Sequence, residues 1–258
     1  MNPITALARE FSRSARARRA EIFRRTFDLN ENTRILDLGS ESGANIHAVL
    51  EGTPVRPENV YIADIEDHFL QEGRARYGYV PVLIGESGRL PFPDQFFDIV
   101  YCSSVIEHVT VPKEQTWTLY SGKAFRSEAL KRQKEFAAEI RRLGKQYYVQ
   151  TPYRHFPIES HSWLPFVGWL PRPVLIPVLH ATNTFWVKKT EPDWYLLDKR
   201  EMSELFPEAR LVDEKSFGFT KSMMAIGARR QPAATAGTRA RRRTRRLRKA
   251  ELGANLRN

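Results

Sequence analysis

Ile35-Leu-Asp-Leu-Gly39-Ser-Glu-Ser-Gly43 decides the fold of this chain. A short apolar run ends in Gly39, and Gly43 opens a helical pattern four residues later. A strand that gives way to a glycine turn brings the backbone close to whatever binds at the carboxyl edge of a sheet. Outward from this point, short apolar runs stand at Arg34–Leu38, Val60–Ala63, Val80–Ile84, Asp98–Cys102 and Gln146–Gln150. Between the last two, Phe125–Leu143 reads as a helix, with Ala129, Phe136, Ala137, Ile140 and Leu143 on one face and Gly144 as its stop. Strands that alternate with helices predict an α/β fold with a doubly wound, mostly parallel sheet.

Around this body (31–228) the pattern changes. Residues 1–30 read as a basic amphipathic helix, with Ile4, Leu7, Phe11, Ile22, Phe23 and Phe27 among arginines. Packing on the body is preferred there over a membrane-surface or transit segment. Residues 151–190, rich in Pro, Trp, Phe and His, read as an ordered insertion. Asp198-Lys-Arg-Glu201 is a capping-box pattern for a short helix through Leu205. Ala209–Phe217 and Ser222–Ala228, joined through Gly218, predict a closing antiparallel hairpin. Residues 229–258 are an aperiodic Arg-rich tail, expected to be disordered in isolation.

The net charge of +11 over 258 residues divides unevenly. The first 30 residues hold seven Arg against three acids, and residues 229–258 hold ten Arg and one Lys against one Glu. The body between them has 23 basic and 26 acidic residues, so the basic balance of the chain says little about its site. The single cysteine, Cys102, excludes an internal disulfide framework and a cysteine-based zinc cluster, and fits a reducing, cytoplasmic setting. The first 27 residues lack the continuous apolar stretch of a secretory signal. The longest apolar run, Trp163–Ala181, is broken by four prolines, which excludes an ordinary membrane-spanning helix.

The chemistry starts with Asp64, 25 residues after Gly39 at the end of the second predicted strand. A carboxylate there can accept both hydroxyls of a ribose; it can equally serve as a helix N-cap. Glu41 sits inside the glycine turn, where a carboxylate repels phosphate, so a dinucleotide is disfavoured. A phosphate-free nucleoside with a cationic group, such as S-adenosylmethionine, fits better.

The decisive stretch is Gly85-Glu86-Ser-Gly-Arg-Leu90-Pro-Phe-Pro-Asp94-Gln-Phe-Phe97-Asp98, running on to Val105-Ile-Glu107-His108-Val109. With the glycine turn and Asp64, it resembles the class I S-adenosylmethionine-dependent methyltransferases, specifically the type 11 methyltransferase domain. The likeness spans about residues 34–228 as an ordered set of motifs. It implies a seven-stranded Rossmann-like sheet with S-adenosylmethionine as cofactor. It also implies that Asp37, Gly39, Ser40, Gly43, Asp64, Glu86 and Ser87 bind the cofactor, with Gly39 and Gly43 at the methionine part, Asp64 at the ribose, and Glu86 and Ser87 at the adenine edge. Two departures stand out: Glu41 replaces the family's middle glycine, and Glu86 its usual Asp. Tyr148–His161 and the Leu196–Ser222 segment resemble bacterial, uncharacterised members of the same family.

His155, Glu159 and His161 follow the fifth strand, where such sheets build their sites. They are candidates, with His108, for general-base or acceptor-orienting roles, and hydrogen bonding that merely shapes the loop is an equal reading. A metal is not expected on them, because irregular proline-containing spacing does not set ligands on one face. The expected activity is methyl transfer to a small-molecule, lipid or glycan acceptor under the aromatic insertion. A nucleic-acid modifier and a binding protein without catalysis are the alternatives. Against nucleic acid, the position of an exocyclic-amine methylation motif reads Cys102-Ser-Ser-Val-Ile-Glu-His108. The Arg-rich tail with the apolar insertion is expected to give peripheral contact with an anionic inner-membrane face.

Overall fold

The computed structural model describes residues 3–85 and 87–227. Glu86 and the Arg-rich tail of the sequence reading therefore lie outside the described residues. In chain order the elements are α1 Pro3–Thr26, β1 Ile35–Leu38, α2 Ala44–Leu50, β2 Val60–Asp64, α3 Asp67–Tyr77 and β3 Val80–Leu83. They continue with β4 Phe97–Ser103, α4 Gly122–Leu143, β5 Gly144–Pro152, α5 Arg172–Thr182, α6 Lys199–Leu205, β6 Arg210–Ser216 and β7 Phe219–Gly227. The seven strands form one sheet in the order β3-β2-β1-β4-β5-β7-β6. The first five are parallel, and the β6–β7 hairpin joins β5 antiparallel. This is the doubly wound α/β architecture that the alternation of runs predicts.

Helices cover both faces, so consecutive strand residues are buried in opposite directions, which is why the strands read as unbroken apolar runs. Leu36, Val100, Cys102, Val149 and Ala225 pack with Ala137, Ile140 and Leu143 of α4 and with Met202 and Leu205 of α6. Their neighbours Ile35, Ile99, Tyr101, Tyr148 and Ile226 pack with Ala20, Phe23 and Phe27 on the other face. Phe23 meets Tyr101 and Tyr148 edge-on, with ring centroids 5.4 and 5.6 Å away. The amphipathic helix thus lies on the sheet through Ala20, Phe23 and Phe27. Arg19 binds Glu214 at 3.0 Å, and Arg24 donates to the Val49 carbonyl at 2.9 Å.

Two local features add to the sequence reading. Gly144 is the expected stop of α4, at φ −102°, and is at once the first residue of β5. The glycine is needed because a Cβ would lie 2.5 Å from the Gln146 carbonyl oxygen and 2.9 Å from Val100 Cγ2. In the insertion, α5 forms despite Pro177 in its interior. Burial of Leu175 and Leu179 against Val167, Trp194 and Leu196 outweighs the one hydrogen bond the proline removes. Arg172 anchors this helix, donating to the carbonyls of Thr116, Leu119 and Pro192 while its guanidinium lies over Phe125. Among the described residues no helix is long and apolar enough to cross a membrane.

Candidate functional site

The strand order reverses between β1 and β4, and the crevice past their carboxyl ends is where such sheets bind ligands. The glycine turn lies there. Gly39 has φ 77° and donates its N–H to the Ala63 carbonyl at 2.8 Å. A Cβ on it would stand 2.4 Å from Val105 Cγ1, so the turn is pressed against the chain leaving β4. Gly43 has φ 74°, and a Cβ there would meet Ile62 and Tyr79. Gly43 is therefore a packing residue behind the loop rather than part of a cavity wall.

A small cavity of about 220 Å³ opens in the crevice, bounded by Asp37, Gly39, Ser40, Glu41, Asn45 and the Ser103–Ser104 pair. Asp37 is buried, its Oδ2 has no hydrogen-bond partner, and burial followed by the charge of Asp64 pushes its carboxyl well above the usual range. A cationic group in the cavity would relieve that carboxylate. Asn45 is fixed by donating to the Tyr101 hydroxyl at 3.1 Å, and Ser103 and Ser104 both donate to Gln150 Oε1. Asp64 accepts from the backbone of Glu41 at 2.8 Å and of Glu66 at 3.2 Å, so the carboxylate stands at the rim of the same turn. Beyond it, Ile65 and Leu83 are large apolar side chains left exposed at the ends of β2 and β3, a surface on which a purine can lie. Ser87 is exposed, and its Oγ accepts from the N–H of Arg89. An unpaired buried carboxylate, a close-packed glycine turn, a second carboxylate and an apolar shelf fit S-adenosylmethionine.

A larger chamber of about 1540 Å³ adjoins this cavity and shares Ser40, Glu41, Asn45, Ser103 and Ser104 with it. One wall is α1, contributing Arg13, Arg16, Arg19 and Arg24. The insertion also lines it, contributing Phe156, Ile158, Trp163 and Trp186 among others. Sequence reasoning registered the arginines only as charge; which of them face the site depends on where Phe23 docks. Asn45, Ser103, Ser104, Gln150, Ile65 and Leu83 carry no motif and were not anticipated.

The four catalytic candidates separate. His155 is exposed, stacked edge-on against Tyr153, and borders neither cavity. Glu159 is buried, with Oε1 accepting from the His161 N–H and Nδ1, and Oε2 from the Ser162 N–H and hydroxyl. Burial pushes its carboxyl up, but the His161 and Ser162 bonds prevail and hold it down at about 2. Burial conversely pushes the His161 imidazole down, while Glu107 and Glu159 hold it up at about 9. Glu107 acts on it by charge across 3.8 Å, too long for a hydrogen bond. Glu159 thus spends both oxygens on shaping its loop and holding His161, in line with the hydrogen-bonding reading that the sequence left equal to a general-base or acceptor-orienting role. His108 lies edge-on to His161, with ring centroids 4.7 Å apart, and its Nδ1 is held by Asp193 at 3.0 Å. Of the four, Glu159 and His161 border the large chamber.

Residues 36–119 match the model of a family described as a methyltransferase domain. No curated protein matches the chain. Among solved structures, magnesium protoporphyrin IX methyltransferase from Synechocystis PCC 6803, with bound SAH, is similar at 13% identity and a TM-score of 0.50, over 89% of this chain and 88% of that one. A structure described as putative Zn-dependent alcohol dehydrogenases from Rhodobacter sphaeroides is similar at 11% identity and a TM-score of 0.53, over 83% and 89%. At such identities the likeness is one of fold. The chain has the Rossmann-like methyltransferase fold, its residues 36–119 match the methyltransferase-domain model, and S-adenosylmethionine is the cofactor that goes with that domain.

Proposed function

We propose that the chain transfers the methyl group of S-adenosylmethionine to an amphipathic acceptor, a small molecule, lipid or glycan intermediate with an anionic group beside an apolar body. The observation that carries this reading is the large chamber, which shares residues with the cofactor cavity and is lined by both arginines and aromatic rings. Six basic residues line it against three acidic ones; Glu159 is spent on His161, and Arg13 and Arg19 pair with Glu10 and Glu214.

When bound, the cofactor supplies a methyl group on a cationic sulfur, already a good leaving group. The chain's own part is placement. Asp37 faces the cationic end, Asp64 the ribose, and the Ser103–Ser104–Gln150 cluster stiffens the boundary between the two chambers. Holding nucleophile and methyl in register is worth about 7–11 kcal/mol in well-oriented systems. The Glu159–His161 pair is not a free base, and an acceptor that reacts through an anionic oxygen has no proton to give up. The arginine wall points to the same acceptor class.

The test is incubation of the protein with methyl-labelled S-adenosylmethionine and fractionated extracts of cells lacking the gene. Label is expected in an organic-extractable compound whose unmethylated precursor is acidic. Label in RNA, or cofactor binding with no transfer to any fraction, would overturn the reading.

A further inference from the structure

The short loop after β4 and the aromatic insertion meet at three side chains that the methyl-transfer reading leaves unused. Glu107, His108 and His161 each present a ligand atom within 4.8 Å of the other two. They come from two segments more than fifty residues apart, so their meeting is a product of the fold. Glu107 is completely buried at 0% exposure. Its Oε2 accepts from the Thr151 hydroxyl at 2.9 Å, and its Oε1 has no hydrogen-bond partner and stands 3.8 Å from His161 Nε2. A buried carboxylate oxygen left unmatched in this way is costly unless something else satisfies it.

The two imidazoles are prepared alike. The Nδ1 of His161 is bound by Glu159 at 2.5 Å, and that of His108 by Asp193 at 3.0 Å. In each ring the remaining nitrogen is Nε2. A carboxylate on one nitrogen fixes the ring and raises the basicity of the other, which is the usual support of a metal-bound histidine. Both supporting carboxylates are themselves held. Glu159 takes the Ser162 N–H and hydroxyl, and the Asp193 segment is fastened by the Thr110 hydroxyl on its carbonyl. Trp194 stacks on His161 at 5.7 Å and covers the inner side of the cluster. The outer side is open at His108, whose side chain is 36% exposed.

We propose that Glu107, His108 and His161 bind a divalent zinc-class ion, with Glu159 and Asp193 as the orienting carboxylates and the fourth position open to water beside His108. Two imidazoles and one carboxylate are a donor set suited to such an ion. Metal–nitrogen bonds of about 2.0–2.1 Å require the side chains to close by roughly an ångström from their present spacing. The irregular spacing of His155, Glu159 and His161, which argued against a metal in the sequence, is no obstacle, since only His161 of those three is a ligand. The ion ties the insertion to the loop after β4 and so holds the roof of the acceptor chamber in place.

The test uses the full chain stripped with a chelator and titrated with Zn²⁺ against a chromophoric competitor, and with Co²⁺ followed by visible absorption. One equivalent of each is expected, with the absorption of a four-coordinate cobalt site, and hydrogen exchange over 155–165 should slow when zinc is added. His108→Ala, at an exposed position, should weaken zinc more than Asp193→Asn does, and the latter by about 10–100-fold. The exposed His68→Ala should change nothing, and circular dichroism with cofactor calorimetry confirms that each variant is folded. Less than one equivalent bound, unchanged affinity in His108→Ala, or loss in His68→Ala would overturn the site. A site that fails while cofactor binding and methyl transfer persist leaves the proposed activity standing.

Discussion

The backbone N–H of Glu41 donates to the Asp64 carboxylate at 2.8 Å, across the gap between the glycine turn and the end of β2. Glu66 donates to the other oxygen at 3.2 Å, so both oxygens already fix loop geometry before any ribose arrives. One side chain therefore shapes the turn and faces the ligand. The N-cap role that the sequence also allowed for Asp64 is not realised, since the N-cap position of α3 falls on Glu66, whose side chain makes no capping bond.

Asp64→Ala should weaken S-adenosylmethionine binding at least tenfold, through charge-assisted hydrogen bonds worth about 1.5–3 kcal/mol. Isothermal calorimetry reads this directly. Equal affinity in the variant would remove Asp64 from the cofactor site.

Gly39→Ala should lower unfolding stability in urea. Its φ of 77° alone costs an L-residue about 1–2 kcal/mol, and the added methyl would collide with Val105. Combining it with Val105→Ala should recover the collision but not the backbone strain. A double variant no better than the single one would show that the two residues do not press on each other.

Acid sensitivity should have a source at Glu139. Its carboxylate accepts from the Leu90 N–H at 2.9 Å and from Arg142 at 2.6 and 2.7 Å. Burial pushes this carboxyl up, but Arg142 and the Leu90 N–H prevail and hold it below its ordinary value of 4.5. A depressed carboxyl contributes stability that is fully present above its unfolded value and is lost as the pH falls through the lower folded one. Melting temperature should therefore drop on acidification below the ordinary carboxylate range, and Glu139→Gln should shallow that drop. An unchanged acid limb in the variant would place the sensitivity elsewhere.

Lys188 donates to the Ser160 carbonyl at 2.6 Å and stands 5.0 Å from the ring of Trp163, on the chamber wall. Lys188→Met keeps the bulk and removes the charge. It should raise the KM for an anionic acceptor by about tenfold, the scale of one charged hydrogen bond of 1.5–3 kcal/mol, and leave cofactor affinity intact. Steady-state kinetics with the acceptor found in the extract assay checks both numbers. A parallel loss of cofactor binding would show that the residue holds the fold instead.

The sequence by itself determined the parallel order of alternating strands and helices, the glycine turn at the first strand's end and the capping box at Asp198–Glu201. These rest on local regularities: residue period, turn chemistry, and a side chain reaching its own backbone three positions away, as Asp198 does at 2.8 Å. Only the tertiary structure decided which charged groups meet. Thr151 reaches Glu107 across 44 positions and His108 reaches Asp193 across 85, while His155, six residues from His161, turns away to Tyr153. The same holds for the arginines of α1, whose register against the chamber is set by Phe23 docking on Tyr101 and Tyr148. Pairings of this kind are fixed by how apolar faces close on one another, and no spacing along the chain encodes them.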